Sequence, residues 1–297
     1  MSRHAWMLLG LLSFIWGASF LFIELALEVM GPVTLVFFRV LVGAACLMAY
    51  LKFRHIKLPS SKAFWMPVFV MGLLNNVIPF SLISYGQVFI TGGMASIINA
   101  NTAFFGVIVA ALFLADERLQ LSRLLGVMIG ISGVIIVVGP QNLTDFNPAS
   151  IGQLAIVGAT LSYAFASVWG KLRLQGYDSE AIACGMLIAA TILMAPLMIW
   201  LEGIPHFELS LQLTGVFIGL GAIGTSIAYL LYFKILKLAG ASNLMLVTII
   251  VPIFAVLLDA LVLAQFVSIT DGIGFVIVAI GLAIMDGRLG RQKAQKP

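Results

Sequence analysis

Polar side chains interrupt several long apolar runs of this sequence, and they are the residues best able to form hydrogen bonds between helices or to a solute. They combine hydroxyls and amides with aromatic rings and one proline: Ser13, Trp16, Asn75, Asn76, Pro79, Asn99, Tyr163, Ser167, Ser226 and Tyr229. The proline removes a backbone donor, so we expect it to bend its helix beside the two neighbouring amides. Such groups either hold helices together or bind a solute, and for Asn76 and Tyr163 the two interpretations are equally open.

Three ionisable side chains lie within or close to the apolar runs. Arg39 falls inside the second run, Asp259 lies at a similar depth in the ninth, and Glu24 lies near the outer end of the first. Arg39 and Asp259 could pair, which would remove both charges from the lipid. The alternative is that an acid of this group relays protons for energy coupling.

The usual motifs of catalysis do not occur in the sequence. His4, His55 and His206 all fall in predicted loops or at a terminus, and there is no His-Glu-x-x-His, Gly-x-Ser-x-Gly or Gly-x-x-x-x-Gly-Lys sequence. The two cysteines, Cys46 and Cys184, lie in apolar runs and form no ligand set. We therefore expect no enzyme activity, no metal and no cofactor.

The composition places the chain in a lipid bilayer. Hydrophobic residues make up 62% of the 297 residues, charged residues only 9%, and the mean hydropathy is +1.13. Soluble domains carry about 25% charged residues. The apolar runs have the length of about 20 residues that a helix needs to cross hydrocarbon, and they are too long for barrel strands. The expected fold is an all-α integral membrane protein.

Ten apolar runs are predicted to cross the membrane. They are 6–23, 33–51, 64–84, 94–114, 123–138, 151–170, 181–201, 211–233, 243–263 and 272–285. Of the 16 Lys and Arg residues, 15 fall at one face of this arrangement, and the sixteenth is Arg39. Because basic loops stay on the cytoplasmic side, both termini are predicted to be cytoplasmic, in an inner membrane. The distribution of the basic residues thus indicates the orientation of the chain in the membrane, and no nucleic-acid partner is expected.

The two halves of the sequence resemble each other. Leu12 to Trp16 matches Leu161 to Phe165, and Tyr85 and Gly93 match Tyr232 and Gly240, at nearly equal offsets. We therefore predict a first five-helix repeat at 1–139, a polar connecting loop at 140–150, a second repeat at 151–286 and a basic cytoplasmic tail at 287–297. Because each repeat has an odd number of crossings, the second copy enters the membrane from the opposite side and is inverted relative to the first. Inverted repeats are typical of secondary transporters, and a channel is the alternative.

Three features resemble a known family. They are the segment Leu12 to Phe20, the buried Arg39, and the connection Ala115 to Gly126 with the glycine-rich helix after it. Together with the five-plus-five layout they are similar to the EamA type of the drug/metabolite transporter superfamily, and in particular to its YddG-type aromatic amino-acid exporters. The segment Ala264 to Ser268 departs from the turn that this family has in the second half.

The resemblance implies an exporter of small organic solutes, amino acids and related metabolites, that works by alternating access at a site near the middle of the membrane. The alternative is a multidrug or lipophilic-cation exporter with proton antiport, favoured if Glu24 or Asp259 proves essential. The expected partners are a small-molecule substrate and the lipid bilayer. Glycines in the fifth and tenth runs predict a scaffold contact or a homodimer contact.

Overall fold

The computed structural model describes residues 2–114, 121–138, 148–206 and 210–285, and all regular secondary structure in these ranges is helical. Most of the predicted connecting loop, the connection around Glu117 and the basic tail lie outside the described residues. The part of the loop that is described, from Pro148 onward, already belongs to a helix. The four-part division of the chain therefore stays a prediction.

We number the helices in chain order. Their bounds are α1 (Arg3–Leu27), α2 (Pro32–Phe53), α3 (Lys62–Gly86), α4 (Gly92–Phe113), α5 (Leu121–Val138), α6 (Pro148–Arg173), α7 (Ser179–Leu201), α8 (Leu211–Ala239), α9 (Val247–Val262) and α10 (Ile269–Met285). A short helical segment, Ala241–Leu244, precedes α9. Each of the ten predicted runs therefore contains a helix.

Seven of these helices, α1 to α4 and α6 to α8, are long and apolar enough to cross a membrane. Three further apolar helical stretches are shorter: Arg123–Val138 in α5, and α9 and α10 in full. The protein is thus a multi-pass integral membrane protein, as the composition predicts.

Two of the long helices contain a π-helical segment. In α3 it spans Leu73–Val77, and in α8 it spans Ile218–Ile227. The two segments begin 218 − 73 = 145 residues apart, close to the offset between the sequence halves. A π turn widens the helix and leaves carbonyl groups free for other donors, and such turns are frequent at functional sites.

The π segment of α3 ends just before Pro79, where we predicted a bend. The α-helix resumes at Ile78, so Pro79 occupies its first turn, where a missing N–H costs little. The carbonyl of Leu74, within the π segment, accepts a hydrogen bond of 2.6 Å from the Ser162 hydroxyl of α6. The irregular backbone of α3 is therefore satisfied from a neighbouring helix.

Helix α4 is interrupted in the middle of its length. It runs as Gly92–Asn99 and Thr102–Phe113, with a turn at Ala100 and Asn101 between them. The Asn101 side chain donates to the carbonyl of Ile98 at 2.8 Å, and the Thr102 hydroxyl donates to the carbonyl of Asn99 at 2.8 Å. These local bonds take up carbonyl groups that an unbroken helix would use itself.

Glycines bring α5 and α10 into backbone contact. A Cβ atom built on Gly126 would lie 2.6 Å from the carbonyl oxygen of Gly281, and one built on Gly133 would lie 2.7 Å from that of Gly274. Gly272, also in the predicted glycine set, has nothing within 4 Å of its Cβ position. The glycine face thus forms a scaffold contact within one chain, and a homodimer stays a prediction.

Two clusters of buried apolar side chains flank the interior. One is built mainly from α1, α4, α5, α8, α9 and α10, and the other from α2, α3 and α7. Tyr163 of α6 packs against both clusters. The junction of the two clusters is therefore the place to look for polar side chains that act together.

We predict that Gly281→Ala destabilises the protein by about 1–3 kcal/mol, because the added methyl group meets the backbone of α5. Thermal unfolding of the purified protein in detergent measures this effect. Gly272→Ala, on the same helix but in open space, is the matched control and leaves the melting temperature unchanged. Equal melting temperatures for the two variants would contradict the backbone contact.

Candidate functional site

The polar side chains of α3 and α8 meet at the hydroxyl of Tyr229. Asn75 and Asn76 each donate a side-chain N–H to this oxygen, at 3.0 Å in both cases. Both asparagines belong to the π segment of α3, and Tyr229 follows the π segment of α8. One amide pair from the first half of the chain and one phenol from the second therefore form a single cluster.

The π geometry explains how two successive residues reach one atom. In a regular α-helix neighbouring side chains point about 100° apart. The wider π turn changes that spacing, and the adjacent Asn75 and Asn76 side chains converge on the same hydroxyl. The local backbone irregularity is thus what assembles the cluster.

Arg39 of α2 lies beside this cluster with no acid to balance it. It is 7% exposed, its Nε donates to the Thr225 hydroxyl at 3.1 Å, and its guanidinium carbon lies 3.8 Å from the centre of the Phe80 ring. Its electrostatic neighbours are the phenols of Tyr163 and Tyr229. Within the described residues no carboxylate lies within ion-pair distance of Arg39, and no hydrogen bond engages its two terminal nitrogens.

The cluster also contains an acceptor that lacks a donor. Asn76 is fully buried, and its side-chain oxygen has no hydrogen-bond partner among the described residues. A buried polar atom left unpaired costs about 1–3 kcal/mol. The site therefore presents a cation without an anion, and close to it an acceptor without a donor.

Three members of the cluster keep accessible surface. Tyr163 and Tyr229 are only half-buried, whereas Asn76 is fully buried. Tyr163, Tyr229 and Asn75, which is also half-buried, are the members of the cluster that a solute could reach.

The other predicted lining residues have different surroundings. Ser13 is fully buried and its hydroxyl donates to the Leu9 carbonyl at 2.8 Å. The Ser226 hydroxyl donates to the Gly43 carbonyl of α2 at 2.7 Å. These two hydroxyls are engaged in the hydrogen bonding within and between helices that we gave as the alternative to solute binding.

Trp16, Asn99 and Ser167 also lie away from the Tyr229 hydroxyl. The Trp16 ring lies 5.9 Å from the Tyr232 ring, and the Asn99 side-chain oxygen is buried without a partner in the described chain. Ser167 is exposed and donates to the carbonyl of Ala164 at 2.7 Å. Pro79 is buried in the first turn after the π segment. The structure thus gathers Asn75, Asn76, Tyr163 and Tyr229, with Arg39, into one cluster.

The pairing that we considered between Arg39 and Asp259 does not occur. Asp259 lies on α9, which packs against α1 and the start of α4, whereas Arg39 bonds to the π segment of α8. The Asp259 carboxylate accepts from the backbone N–H of Gly93, and the Glu24 carboxylate accepts from that of Gly92 at 3.1 Å. Both acids therefore lie at the N-terminus of α4, where the helix dipole favours negative charge.

Sequence reasoning missed several members of these two groups. Thr225 and Phe80 hold Arg39, and Gln87 and Gln265 accompany the two acids. The stretch of residues 218–227 contains three glycines, a pattern typical of close helix packing, and it could have directed attention to Thr225. Gln87 and Gln265 lie beyond the ends of helices, where the sequence carries no periodic signal.

A cavity of about 430 Å³ opens beside the acids. Its wall includes Glu24, Gln87, Thr91, Met94 and Gln153. It lies at the end of the molecule where α1 ends and α4 begins, and is lined by polar as well as apolar side chains. It is therefore an entrance to the acidic group and is distinct from the cluster around Tyr229.

The model of the EamA-like transporter family matches this sequence twice, at residues 4–139 and 150–285. The chain belongs to the EamA-like transporter family. The two matches cover nearly the whole chain and include every residue of both polar groups. The family and the names of its relatives indicate a transporter rather than an enzyme.

Relatives of this EamA-like transporter cover almost its full length. The uncharacterized transporter YoaV of Bacillus subtilis is 23% identical over 288 residues, which are 96% of this chain and 98% of that protein. Protein PagO of Salmonella typhimurium is 27% identical over 278 residues, 92% of this chain and 89% of its own. A protein of the same organism named "Probable amino-acid metabolite efflux pump" is 24% identical over 292 residues, 96% and 95% of the two chains.

A solved crystal structure has the same fold. It aligns with a TM-score of 0.71 at 20% identity and covers 99% of this EamA-like transporter and 100% of its own chain. The arrangement of helices described above is therefore one that has been seen experimentally.

We predict that Tyr229→Phe costs about 1–3 kcal/mol of stability, because it leaves the side-chain N–H groups of Asn75 and Asn76 without their acceptor. The measurement is the melting temperature in detergent. Tyr85→Phe, which removes an exposed hydroxyl at the end of the same helix α3, is the control and has no effect. A Tyr229→Phe protein as stable as the control would show that the two hydrogen bonds contribute nothing.

Proposed function

We propose that this EamA-like transporter is a secondary transporter that exports amino acids, aromatic or otherwise amphipathic, and related small metabolites across the inner membrane. In this proposal ten helices cross the membrane as two inverted five-helix repeats, with both termini in the cytoplasm. Transport proceeds by alternating access to a site between the halves.

The unbalanced cluster around Arg39 is the observation that carries the proposal. An amino acid at neutral pH has a carboxylate, the partner that the Arg39 guanidinium lacks. Arginine binds carboxylates with paired, charge-assisted hydrogen bonds. The carboxylate of an amino acid therefore supplies the missing anion, whereas a lipophilic cation would be repelled by Arg39.

The aromatic surroundings favour a substrate with an apolar part. Phe80 lies against Arg39, Tyr163 and Tyr229 are half-buried members of the same cluster, and Trp16 lies against Tyr232. Binding sites for small molecules combine apolar and aromatic walls with a few well-placed polar groups. The side chain of an aromatic or large aliphatic amino acid fits such walls.

The matching π segments support alternating access. Each half contributes one irregular helix to the same cluster, α3 from the first and α8 from the second. Broken helices at the contact between inverted repeats are characteristic of secondary transporters, in which the two halves exchange conformations. The name of the Salmonella relative, which speaks of amino-acid efflux, supports the direction of transport.

Both termini are predicted to be cytoplasmic, and single cysteines introduced near them test this. In a background without Cys46 and Cys184, a cysteine at Ser2 and one after Pro297 react with an impermeant maleimide only in inside-out vesicles. Labelling of the two ends from opposite sides would overturn the inverted ten-helix topology.

The second candidate function is export of lipophilic cations by proton antiport. The two carboxylates of Glu24 and Asp259 favour it, since the Glu24 side chain borders a cavity open to the outside of the molecule. Cationic dyes that are exported by the wild type and not by Glu24→Gln would decide for this alternative.

Counterflow into proteoliposomes tests the main proposal. We predict that trapped unlabelled phenylalanine or a similar amino acid accelerates uptake of its labelled form, and that Arg39→Gln reduces this rate at least about tenfold by removing the cation for the carboxylate. Asn76→Ala and Tyr163→Ala also reduce the rate while the proteins still insert into the membrane. Arg54→Gln, at the exposed end of the same helix, is the control and keeps the wild-type rate.

Two results would contradict this assignment. If wild-type liposomes show no counterflow of any amino acid, the proposed substrate class is wrong. If the rates of both Asn76→Ala and Tyr163→Ala equal that of the wild type, the proposed site is wrong. A channel would conduct the amino acid without acceleration by trapped solute.

A further inference from the structure

Two acids from different halves of the chain lie together at the N-terminus of α4. Glu24 comes from the end of α1 and Asp259 from α9, and they accept hydrogen bonds from the adjacent backbone N–H groups of Gly92 and Gly93. Two glutamines complete the group: the Gln265 side chain donates to Glu24 at 2.6 Å, and the Gln87 side chain donates to the Phe20 carbonyl at 2.9 Å. We call these four side chains the α4 acidic group.

Three oxygen atoms of the α4 acidic group have no hydrogen-bond donor among the described residues. They are Oδ1 of Asp259, Oε1 of Gln87 and Oε1 of Gln265. Asp259 is 2% exposed and Gln87 is 5% exposed, so water does not replace the missing donors. The group is therefore rich in acceptors and poor in donors, the reverse of the Arg39 cluster.

The orientation of both amides is fixed by their donors. Each Nε2 faces an acceptor, a backbone carbonyl for Gln87 and a carboxylate for Gln265, so exchanging N and O within either amide would lose that bond. A Cβ atom built on Gly92 would lie 3.2 Å from both Oδ2 of Asp259 and Nε2 of Gln87. The side chains of Asp259 and Gln87 therefore both lie next to Gly92 at the start of α4.

No basic side chain of the surrounding helices offsets the two acids. Helix α9 packs against α1 and the start of α4. The first segment of α4 has no titratable residue, and the bases of α1, Arg3 and His4, lie at its opposite end. Glu24 is thus the one titratable group of these helices near Asp259, and the positive end of the α4 dipole amounts to only about half a charge.

We propose that the α4 acidic group binds one Na⁺ ion. Oxygen atoms of carboxylates and amides are the ligands that hard cations prefer. Na⁺ is held by Oδ1 of Asp259 and the side-chain oxygens of Gln87 and Gln265, and it offsets one of the two negative charges of Asp259 and Glu24.

The number of unpaired oxygens favours a metal ion over a proton. A proton on Asp259 supplies one donor, which satisfies one amide oxygen and leaves the other unpaired. Among the described residues no three His, Cys, Asp or Glu side chains come together, so the charge available is low for a divalent ion. A monovalent ion with several oxygen ligands matches both facts.

The cavity of about 430 Å³ supplies the route for the ion. Glu24 and Gln87 belong both to its wall and to the α4 acidic group. Glu24 therefore lies where it attracts a cation to the α4 acidic group.

Binding to the purified protein tests the proposal without any transport. We expect the melting temperature to rise saturably when choline chloride is replaced by NaCl at constant ionic strength, because an ion that binds the folded state stabilises it. Radioactive Na⁺ binds the wild type in the same buffer, and this measurement needs no variant. Because neither assay involves an amino acid, failure here leaves the proposed function standing, and the reverse also holds.

Asp259→Asn is the decisive variant. Asparagine keeps an oxygen for the N–H of Gly93 but removes the charge, so we expect the apparent Na⁺ affinity to fall at least about tenfold while the protein stays folded. Glu202→Gln is the matched control. Glu202 also caps a helix, accepting from Val33 and Thr34 of α2 at 2.9 and 2.7 Å, and both of its oxygens are paired. It should keep the wild-type affinity for Na⁺.

Three results would overturn the proposal. The first is a wild-type melting temperature equal in NaCl and choline chloride, without Na⁺ binding. The second is an Asp259→Asn protein that responds to Na⁺ as the wild type does. The third is stabilisation by acid pH or by Ca²⁺ in place of Na⁺, which would assign the group to a proton or a divalent ion.

Discussion

A polar atom inside a bilayer has no water to bind, and this constraint accounts for most of the side-chain geometry in the protein. Hydroxyls on the helices turn back to carbonyls of their own chain, as those of Ser13, Ser19 and Thr191 do. The π segment of α3 obeys the same constraint, since the Leu74 carbonyl is taken by Ser162 of a neighbouring helix. Where nearly every polar atom is satisfied, those that are not become informative.

Four of the six buried side-chain oxygens that lack a partner in the described chain fall into two groups of opposite character. Around Arg39 the protein offers a cation and phenols, with Asn76 as the one buried acceptor left over. At the start of α4 it offers two acids and amide oxygens. A solute site and an ion site with these complementary charges can occupy one protein without competing for the same ligand.

The sequence was sufficient for the helices and for much of the cluster. Long apolar runs leave little freedom in where helices form. Large polar side chains at mid-depth in the membrane are energetically costly, and this cost singled out Asn75, Asn76, Tyr163 and Tyr229. The π segments could not be predicted, because i to i+5 bonding depends on which neighbouring groups donate to the freed carbonyls. The partners of Arg39 and Asp259 depend on helix packing across the two halves, and equal depth in the membrane wrongly suggested that they pair.

The glycine contact between α5 and α10 limits how the molecule can change shape. These helices touch through backbone atoms at Gly126, Gly133, Gly274 and Gly281. Surfaces of this kind cannot slide by a fraction of a turn without collision. The two helices therefore move as one rigid unit, and any change of shape in the described chain has to leave their contact intact.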